Sequence, residues 1–556
     1  MKMMRPAGSV ADDRVRCYVP PVRIVESRNC RGLEKLLRKG CGQATIWAEP
    51  GAFLKKNASL LLDFGRELHG GVRLISGRFP SGRPQKVRIR FGESVGEASS
   101  EPDNDHAMHD TVIELATMGG TEYGNTAFRF VRIDNREEDE LELREICAVF
   151  LFRDLDYKGS FACDDPLLNR IFQTASYTLQ LCMQDYLWDG AKRDRLIWMG
   201  DLHPEITAAN VLFGETDVVK RSLNRMRDET VLPNFMNGIS SYSVWYVIAL
   251  RDFFLANGNR EFLLSHREYL LELLKLLESQ IAEDGSEQLG GCRILDWGSR
   301  HDERSIHAGL HALLVWGFES GQELCALLEA PEQERRCREA VERLKRYTPP
   351  DCGGKSANAL RVLAGLADAV TVNREKLAVH PFRGLSTFHG GYVLSARTRA
   401  GDLAGALDVL RKYWGGMLAL GATTFWEHFD LAWMENASPI TEFPAEGKID
   451  VHGSYGESCF KGYRNSLCHG WSCGPVPFLA ESVLGIHPEE PGCRRIRLAP
   501  RLGDLQFVRG TFPTPHGILH LEARKREDGR LHLQYSAPEG VKIVIAPEEL
   551  RRMVLS

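Results

Sequence analysis

Between residues 189 and 201 the sequence reads Asp-Gly-Ala-Lys-Arg-Asp-Arg-Leu-Ile-Trp-Met-Gly-Asp. Asp189, Asp194 and Asp201 sit with Arg193 and Trp198 in one short stretch, and Gly190 and Gly200 argue against a plain helix interior. Carboxylates at this density beside an indole suit transfer of a glycosyl group to water, which needs one acid to protonate the leaving oxygen and others to hold sugar hydroxyls. The competing reading is a solvated loop in which Arg193 and Arg195 neutralise Asp189 and Asp194. Glu205 follows closely. Three further loops carry similar chemistry. Ile294-Leu-Asp296-Trp297-Gly-Ser sets an acid beside an indole, as a turn or a sugar subsite. Gly421-Ala-Thr-Thr-Phe-Trp426-Glu427-His428-Phe-Asp430 begins where a helix ends at Gly421, as a cleft lining or a salt-bridged corner. Asn465-Ser-Leu-Cys468-His469-Gly-Trp471 presents a single histidine, structural or catalytic.

The elements around these loops divide the chain in three. Up to about residue 158, short segments such as 59–64, 72–76, 87–91, 128–133 and 146–152 alternate apolar and polar residues between Gly and Pro, which predicts an amino-terminal β-sandwich (residues 1–158). At Asp165-Pro166 the period becomes helical, an N-cap followed by Pro at the first helical position. Apolar stripes then run from Leu263 through Leu270, Leu273, Leu274 and Leu277 to Ile281, and from Leu403 to Met417. Further helical patterns lie around 241–256, 307–327, 331–346, 356–370 and 385–399. With no repeating sequence period, a closed toroid of helix pairs over 159–484 fits better than a solenoid, its functional loops gathered at one end. Alternating segments return after 484, around 496–498, 505–512, 517–522, 531–535 and 541–545, and predict a small carboxy-terminal β-sandwich over 485–556.

The 556 residues, 43% hydrophobic and 26% charged, have the composition of a multidomain globular protein. A formal charge of -5 without a polybasic block argues against nucleic acid and anionic membrane as partners and favours a neutral or weakly charged substrate. No apolar run reaches the length of a membrane span, since Arg251 and Asp252 break the stretch 244–256. The first residues show no apolar core after their basic residues, so a cytoplasmic location and free thiols are expected for the fourteen cysteines. No spacing calls for a metal, and no cofactor is expected. A homodimer is left open.

The pattern Asp-x-x-x-Arg-acid, then Trp, then Gly-Asp, resembles the signature of the α-L-rhamnosidases of glycoside hydrolase family 78. Ala422-Thr-Thr-Phe-Trp-Glu427 is similar to that family's Ala-Thr-Thr-x-Trp-Glu, and Asn465-Ser-Leu-Cys-His469 to its Asn-Ser-Leu-Asn-His. Leu62-Asp-Phe-Gly, Gly70-Gly71, Asp296-Trp297 and Pro513-Thr-Pro-His516-Gly agree in order, so the resemblance covers nearly the whole chain from about residue 60. It implies a central (α/α)6 barrel flanked by β-sandwiches, and hydrolysis of terminal α-L-rhamnosides with inversion. It places Asp194 at the general acid and Glu427 at the general base. Asp189, Arg193, Asp201 and His469 fall on sugar-binding positions and Trp198 on an aromatic wall. Asp296 is a further candidate, and Trp245, Trp297 and Trp426 offer cover for the apolar face of a deoxy sugar. The sequence departs from the family in three ways: Asp194 stands where Glu is usual, Gly-Ala-Lys follows Asp189 instead of Cys-Pro, and a longer insertion carrying Trp433, Glu435, Glu442, Glu446 and Asp450 separates Glu427 from His469. The alternatives are a same-fold hydrolase or lyase for another sugar, and a carbohydrate-binding protein with impaired catalysis.

Overall fold

The structure, a computed structural model, describes residue 9 and residues 11–47, 49–101 and 109–555. The first eight residues, from which the absence of a leader was read, lie outside the described residues. The chain divides into two compact units, 1–155 and 156–556.

The first unit is built on seven strands: β1 (Arg14–Val19), β2 (Arg23–Arg31), β3 (Ala52–Ser76), β4 (Gln85–Gly92), β5 (Asp110–Leu115), β6 (Gly120–Asn135) and β7 (Leu141–Arg153). They hydrogen-bond in the order β1-β7-β3-β6-β4-β5, with β2 on β3. A short helix, α1 (Val95–Ser99), follows β4. The segments 59–64 and 72–76, expected as separate strands, are one continuous strand. The chain kinks at Gly65 (φ +86°), the register on β6 shifts between Asp63 and Leu68, and pairing resumes beyond. A side chain at Gly70 would drive into the Val149 carbonyl, and one at Gly71 into the carbonyls of Tyr123 and Gly124. Inward residues such as Leu60, Leu62, Val72, Ile89, Phe128 and Ile133 fill the core of this unit.

The second unit opens with β8 (Ser160–Cys163), followed by the helices α2 (Pro166–Cys182), α3 (Met199–Leu212), α4 (Asp217–Glu229), α5 (Ser240–Asn257), α6 (Arg260–Ser265), α7 (Arg267–Glu278), α8 (Glu303–Leu327), α9 (Pro331–Arg346), α10 (Lys355–Leu363), α11 (Ala369–Val372), α12 (Gly390–Arg399) and α13 (Leu403–Ala419). Asp165 caps α2 through its side chain, accepting from the Leu167 and Leu168 N–H groups. Helices close in sequence pack on one another: α3 on α5, α5 on α8, α8 on α9 and α10, α10 on α12, α12 on α13, and α13 back on α2. The stripe from Leu263 to Ile281 is two helices, because the chain breaks at His266, whose fully buried ring bonds the Tyr246 hydroxyl. The pattern 356–370 stops as a helix at Leu363, where Gly365 takes a left-handed conformation (φ +67°).

Two parallel residue pairs, β9 (Ala437–Ser438) and β10 (Ile449–Asp450), lie in the insertion. The carboxy-terminal strands are β11 (Ile486–Pro488), β12 (Arg495–Leu498), β13 (Phe507–Thr514), β14 (Gly517–Lys525), β15 (Leu531–Ser536), β16 (Lys542–Val544) and β17 (Met553–Leu555). They form a three-stranded sheet, β11-β12-β16, and a five-stranded one, β17-β15-β14-β13-β8. The edge strand β8 thus comes from the chain just before α2. Val508 to Thr511 pair with Cys163 to Ser160, which ties the helices to the final sheet. All fourteen cysteines are free thiols. Among the described residues no helix is long and apolar enough to cross a membrane.

Candidate active site

Three segments far apart in sequence meet beside the start of α3. The chain at 465–470 runs between the other two and hydrogen-bonds to both through its backbone. On one side Ala191 N–H donates to the Cys468 carbonyl (3.1 Å) and Gly470 N–H to the Asp189 carbonyl (2.7 Å). On the other, Glu427 N–H donates to the Ser466 carbonyl (2.8 Å) and His469 N–H to the Phe425 carbonyl (3.0 Å). Gly190 permits the first contact, since a Cβ there would press on the His469 ring, Ser466 and the Cys468 carbonyl. This short ladder places Asp189, Glu427 and His469 side by side.

Asp189 closes its own loop: its backbone N–H donates to the Leu196 carbonyl, and its Oδ1 accepts from the Leu196 N–H (2.9 Å). The turn between them holds Asp194 (φ +53°) and Arg195 (φ +55°) in consecutive left-handed conformations, unusual for residues with a Cβ. The result separates the acids. The side chains of Asp189 and Asp201 are 3% exposed and that of Glu427 5%, whereas that of Asp194 is 34% exposed. Arg193 links the two kinds. Its Nη2 reaches both oxygens of Glu427 at 2.5 Å, its Nη1 lies 3.2 Å from Asp194 Oδ2, and its Nε donates to the Arg464 carbonyl (2.7 Å). One guanidinium therefore contacts both candidate catalytic carboxylates, which fixes their separation to what its two nitrogens can span.

His469 Nε2 stands at the centre, 3.7 Å from Glu427 Oε1, 3.8 Å from Asp189 Oδ2 and 3.9 Å from Asp201 Oδ2. Burial, reinforced by Arg193, holds its imidazole well below the usual histidine range. Burial likewise pushes the carboxyls of Asp189 and Asp201 well above theirs, with each acid's neighbours adding to the effect, although the Tyr242 hydroxyl donates to Asp201 (3.1 Å). Glu427 is raised by burial as well, but Arg193 and the Ser466 N–H (3.0 Å) oppose the shift. Around one imidazole held below the histidine range the site thus sets two carboxyls whose protonated form burial favours and a third whose charge a guanidinium supports.

The other expected residues divide. Trp198 caps α3, half-buried and edge-on to Tyr242 (6.2 Å between ring centres). Trp297 is half-buried and meets Phe460 edge-on at 6.1 Å; Phe460 in turn stacks on His428, next to Glu427. Asp296 is occupied, accepting from the hydroxyls of Ser356 (2.8 Å) and Ser386 (2.6 Å) while capping a short helical turn. Trp245 and Trp426, expected as sugar-facing surfaces, are 1% exposed. Trp245 stacks within a cluster of His203 (4.8 Å) and Tyr392 (5.3 Å), and Trp426 packs edge-on to Phe429. An indole beside an acid in sequence does not distinguish a core from a cleft, because both bury large apolar rings.

Several residues that matter here gave little sequence signal. Lys192, 1% exposed, donates to the carbonyls of Tyr463 (2.6 Å) and Asn465 (2.9 Å), anchoring the end of the insertion. Tyr242 lay hidden in a helix stripe. Trp471 presses on the His469 ring (4.2 Å) and donates from Nε1 to the Glu427 carbonyl (2.9 Å). Glu205, one turn of α3 below Asp201, is fully buried with neither carboxylate oxygen paired, and burial pushes it well above the usual range. Gly470 makes room for it.

Residues 156–346 match the family model described as the bacterial alpha-L-rhamnosidase 6 hairpin glycosidase domain, and residues 485–553 match that of the bacterial alpha-L-rhamnosidase C-terminal domain. Both models describe domains of bacterial α-L-rhamnosidases, and together they match just under half of the chain. Among solved structures, the family 78 rhamnosidase of Bacillus sp. GL1 superposes with a TM-score of 0.74 at 20% identity, over 95% of this chain and 56% of that one. The Klebsiella oxytoca rhamnosidase, solved with rhamnose bound, gives 0.67 at 20% identity over 84% and 96% of the two chains. The Streptomyces avermitilis α-L-rhamnosidase, complexed with L-rhamnose, gives 0.66 at 17% identity over 94% and 50%. This chain thus spans little more than half of the Bacillus protein, and at these identities the likeness is one of fold. No curated protein matches the sequence.

Proposed function

We propose that the chain is an inverting glycoside hydrolase that releases terminal α-L-rhamnose from glycosides or oligosaccharides, with Asp194 as general acid and Glu427 as general base. The reading rests on Arg193, whose one guanidinium touches both carboxylates while Asp189, Asp201 and His469 crowd the same spot. Inversion needs two carboxyl groups roughly 6.5–9.5 Å apart, with room for a water on one side, and here one guanidinium stands between the two. Asp194 has the solvent-facing position that a leaving group requires. Its side chain is one methylene shorter than the family's usual Glu, and the left-handed turn at 194–195 sets where it projects. Arg193 opposes the burial that raises the Glu427 carboxyl and so favours the ionised form that a base needs to take a proton from water. Asp189 and Asp201, whose protonated form burial favours, and His469, whose neutral form it favours, suit hydrogen bonding to sugar hydroxyls, and Trp198 suits the apolar ring face. The helix pairs are read as an (α/α)6 barrel, with β domains at 1–158 and 485–556. The rhamnose-bound Klebsiella and Streptomyces relatives support the choice of sugar.

An aryl α-L-rhamnoside tests the reading, with the first-released anomer followed by proton NMR. The β-anomer is expected. Release of the α-anomer overturns the inverting assignment, and turnover of another aryl glycoside in preference to the rhamnoside overturns the sugar.

A further inference from the structure

Residues of α3, α5, α8 and α12 enclose a cavity separate from the candidate active site. On α3 the acid Asp201 is followed by His203, Pro204 and Thr207 on the cavity wall. On α5, Tyr242 touches Asp201 and Asp252 lines the cavity. The walls of α8 and α12 contribute Trp316, Tyr392, Ser395 and Arg399. The cavity holds about 360 Å³, and a second lobe of similar volume shares Thr207, Asp252, Trp316, Arg399, Glu481 and His487 with it. Each lobe lies at the lower end of the range for small-molecule pockets, roughly 300–1,000 Å³.

The lining is graded. At the deep end the half-buried rings of Trp316 and Tyr392 meet edge to face at 6.2 Å. The Tyr392 hydroxyl and Asp252 are fixed from behind by the two nitrogens of His203 (2.6 and 2.9 Å). Towards the carboxy-terminal sheets, Arg399, Arg497 and Arg501 outnumber the acids Asp252 and Glu481. Arg251 already pairs with Asp252, whereas Arg399, among the described residues, has no carboxylate within ion-pair distance and donates from Nη1 to the Leu363 carbonyl. Glu481 lines both lobes, and burial, with Asp252 adding and Arg251 and Arg399 opposing, pushes its carboxyl up to about 7. In the second lobe Asn210, 6% exposed, donates to the Asp252 carbonyl while its own Oδ1 has no partner. Buried polar atoms are nearly always paired, so this acceptor, on a cavity wall, fits a ligand hydroxyl.

Aromatic rings, fixed acceptors and a guanidinium outside any close ion pair, with Glu481 and Glu319 acting on it only from further off, are the complement of a pyranose ring with an acid group. We propose that this cavity is a second carbohydrate site, distinct from the carboxylate cluster, for a mono- or disaccharide that carries a carboxylate. The ring lies against Trp316 and Tyr392, hydroxyls reach Asp252 and Asn210, and the carboxylate meets Arg399. The two sites share a wall. Phe388 lines the cavity and stacks on Trp471 (5.1 Å, 11°), which presses on His469.

Titration of the full chain with D-glucuronate, by calorimetry and saturation-transfer NMR, tests this, with D-glucose as the neutral control. Saturable binding of D-glucuronate is expected, tighter than D-glucose, unchanged in Glu427→Gln, and weakened about tenfold or more in Arg399→Gln, where a charge-assisted contact is lost. Ser395→Phe, which fills the cavity from α12, is expected to abolish it. Absence of saturable binding, equal affinity for D-glucose, loss of binding in Glu427→Gln, or retention in both cavity variants overturns the proposal. Because Glu427→Gln disables the candidate catalytic site without touching the cavity, failure of the hydrolase reading leaves this result intact.

Discussion

Two buried histidines, His469 and His203, sit beside carboxylates in the same helical unit and are used in opposite ways. His203 has both ring nitrogens in short hydrogen bonds, to the Tyr392 hydroxyl and to Asp252. His469 has three carboxylates around Nε2, all beyond hydrogen-bonding distance, and no partner for Nδ1. A buried polar group that has its partners stabilises the fold, and one held short of them is disposed to bind something else. The acids repeat the contrast: Asp252 is drawn below the usual range, against its burial, by Arg251 and His203, while Asp189 and Asp201 are pushed above it.

The comparison can be broken by separating activity from stability. The largest effect is expected from Glu427→Gln, a loss of about a thousandfold or more in kcat on an aryl rhamnoside, with the thermal transition retained because Arg193 keeps Asp194 and the Arg464 carbonyl. Near-normal turnover would remove Glu427 from the base role. His469→Ala is next: kcat/KM should fall by about one to two orders of magnitude while denaturant unfolding changes little. His203→Ala should do the reverse. It leaves Asp252 Oδ2 and the Tyr392 hydroxyl without their His203 contacts and opens a void, so stability should fall by about 3 kcal/mol in urea unfolding, with KM unchanged. If His203→Ala lost activity and His469→Ala lost stability, the division between the two histidines would collapse.

The smallest effect sharpens the contrast within the site. Glu205 is buried with both oxygens unpaired, so Glu205→Met should raise stability by about 1 kcal/mol at neutral pH. The pH dependence has a definite sign. Glu205 has a raised carboxyl in the folded protein, so above the ordinary value of 4.5 the folded chain holds a proton that the unfolded chain gives up, and wild-type stability declines as pH rises. The advantage of the Met variant should therefore grow from about pH 5 to about pH 8. A variant advantage that shrank with pH would show that Glu205 is ionised and paired.

Much of the architecture was legible because local rules set it. The Asp165-Pro166 cap, the stripe of α13 and the helix at 331–346 lie where spacing predicts them. The expectations that failed did so through contacts distant in sequence. Two β segments became the single strand β3 because Gly70 and Gly71 let it pass tightly beside β7 and β6, and one helical stripe split in two because His266 turned inward to Tyr246. In the candidate site, the motifs that resemble family 78 grouped Asp189, Arg193, Asp194, Glu427 and His469, where residue types alone left each loop open. Trp245 and Trp426 show the limit of that reasoning, since an indole serves a core as readily as a sugar.

The sequence by itself determined which acids, which arginine and which histidine are present, in what order, and on which kind of element they lie, because capping, periodicity and glycine placement act over a few residues. The tertiary structure decided what those groups can do. Only the backbone ladder of residues 465–470 against 189–191 and 425–427 sets His469 among three carboxylates, and only burial sets Asp189 and Asp201 apart from the exposed Asp194. Desolvation and proximity are properties of the folded space around a group, and no single stretch of chain encodes them.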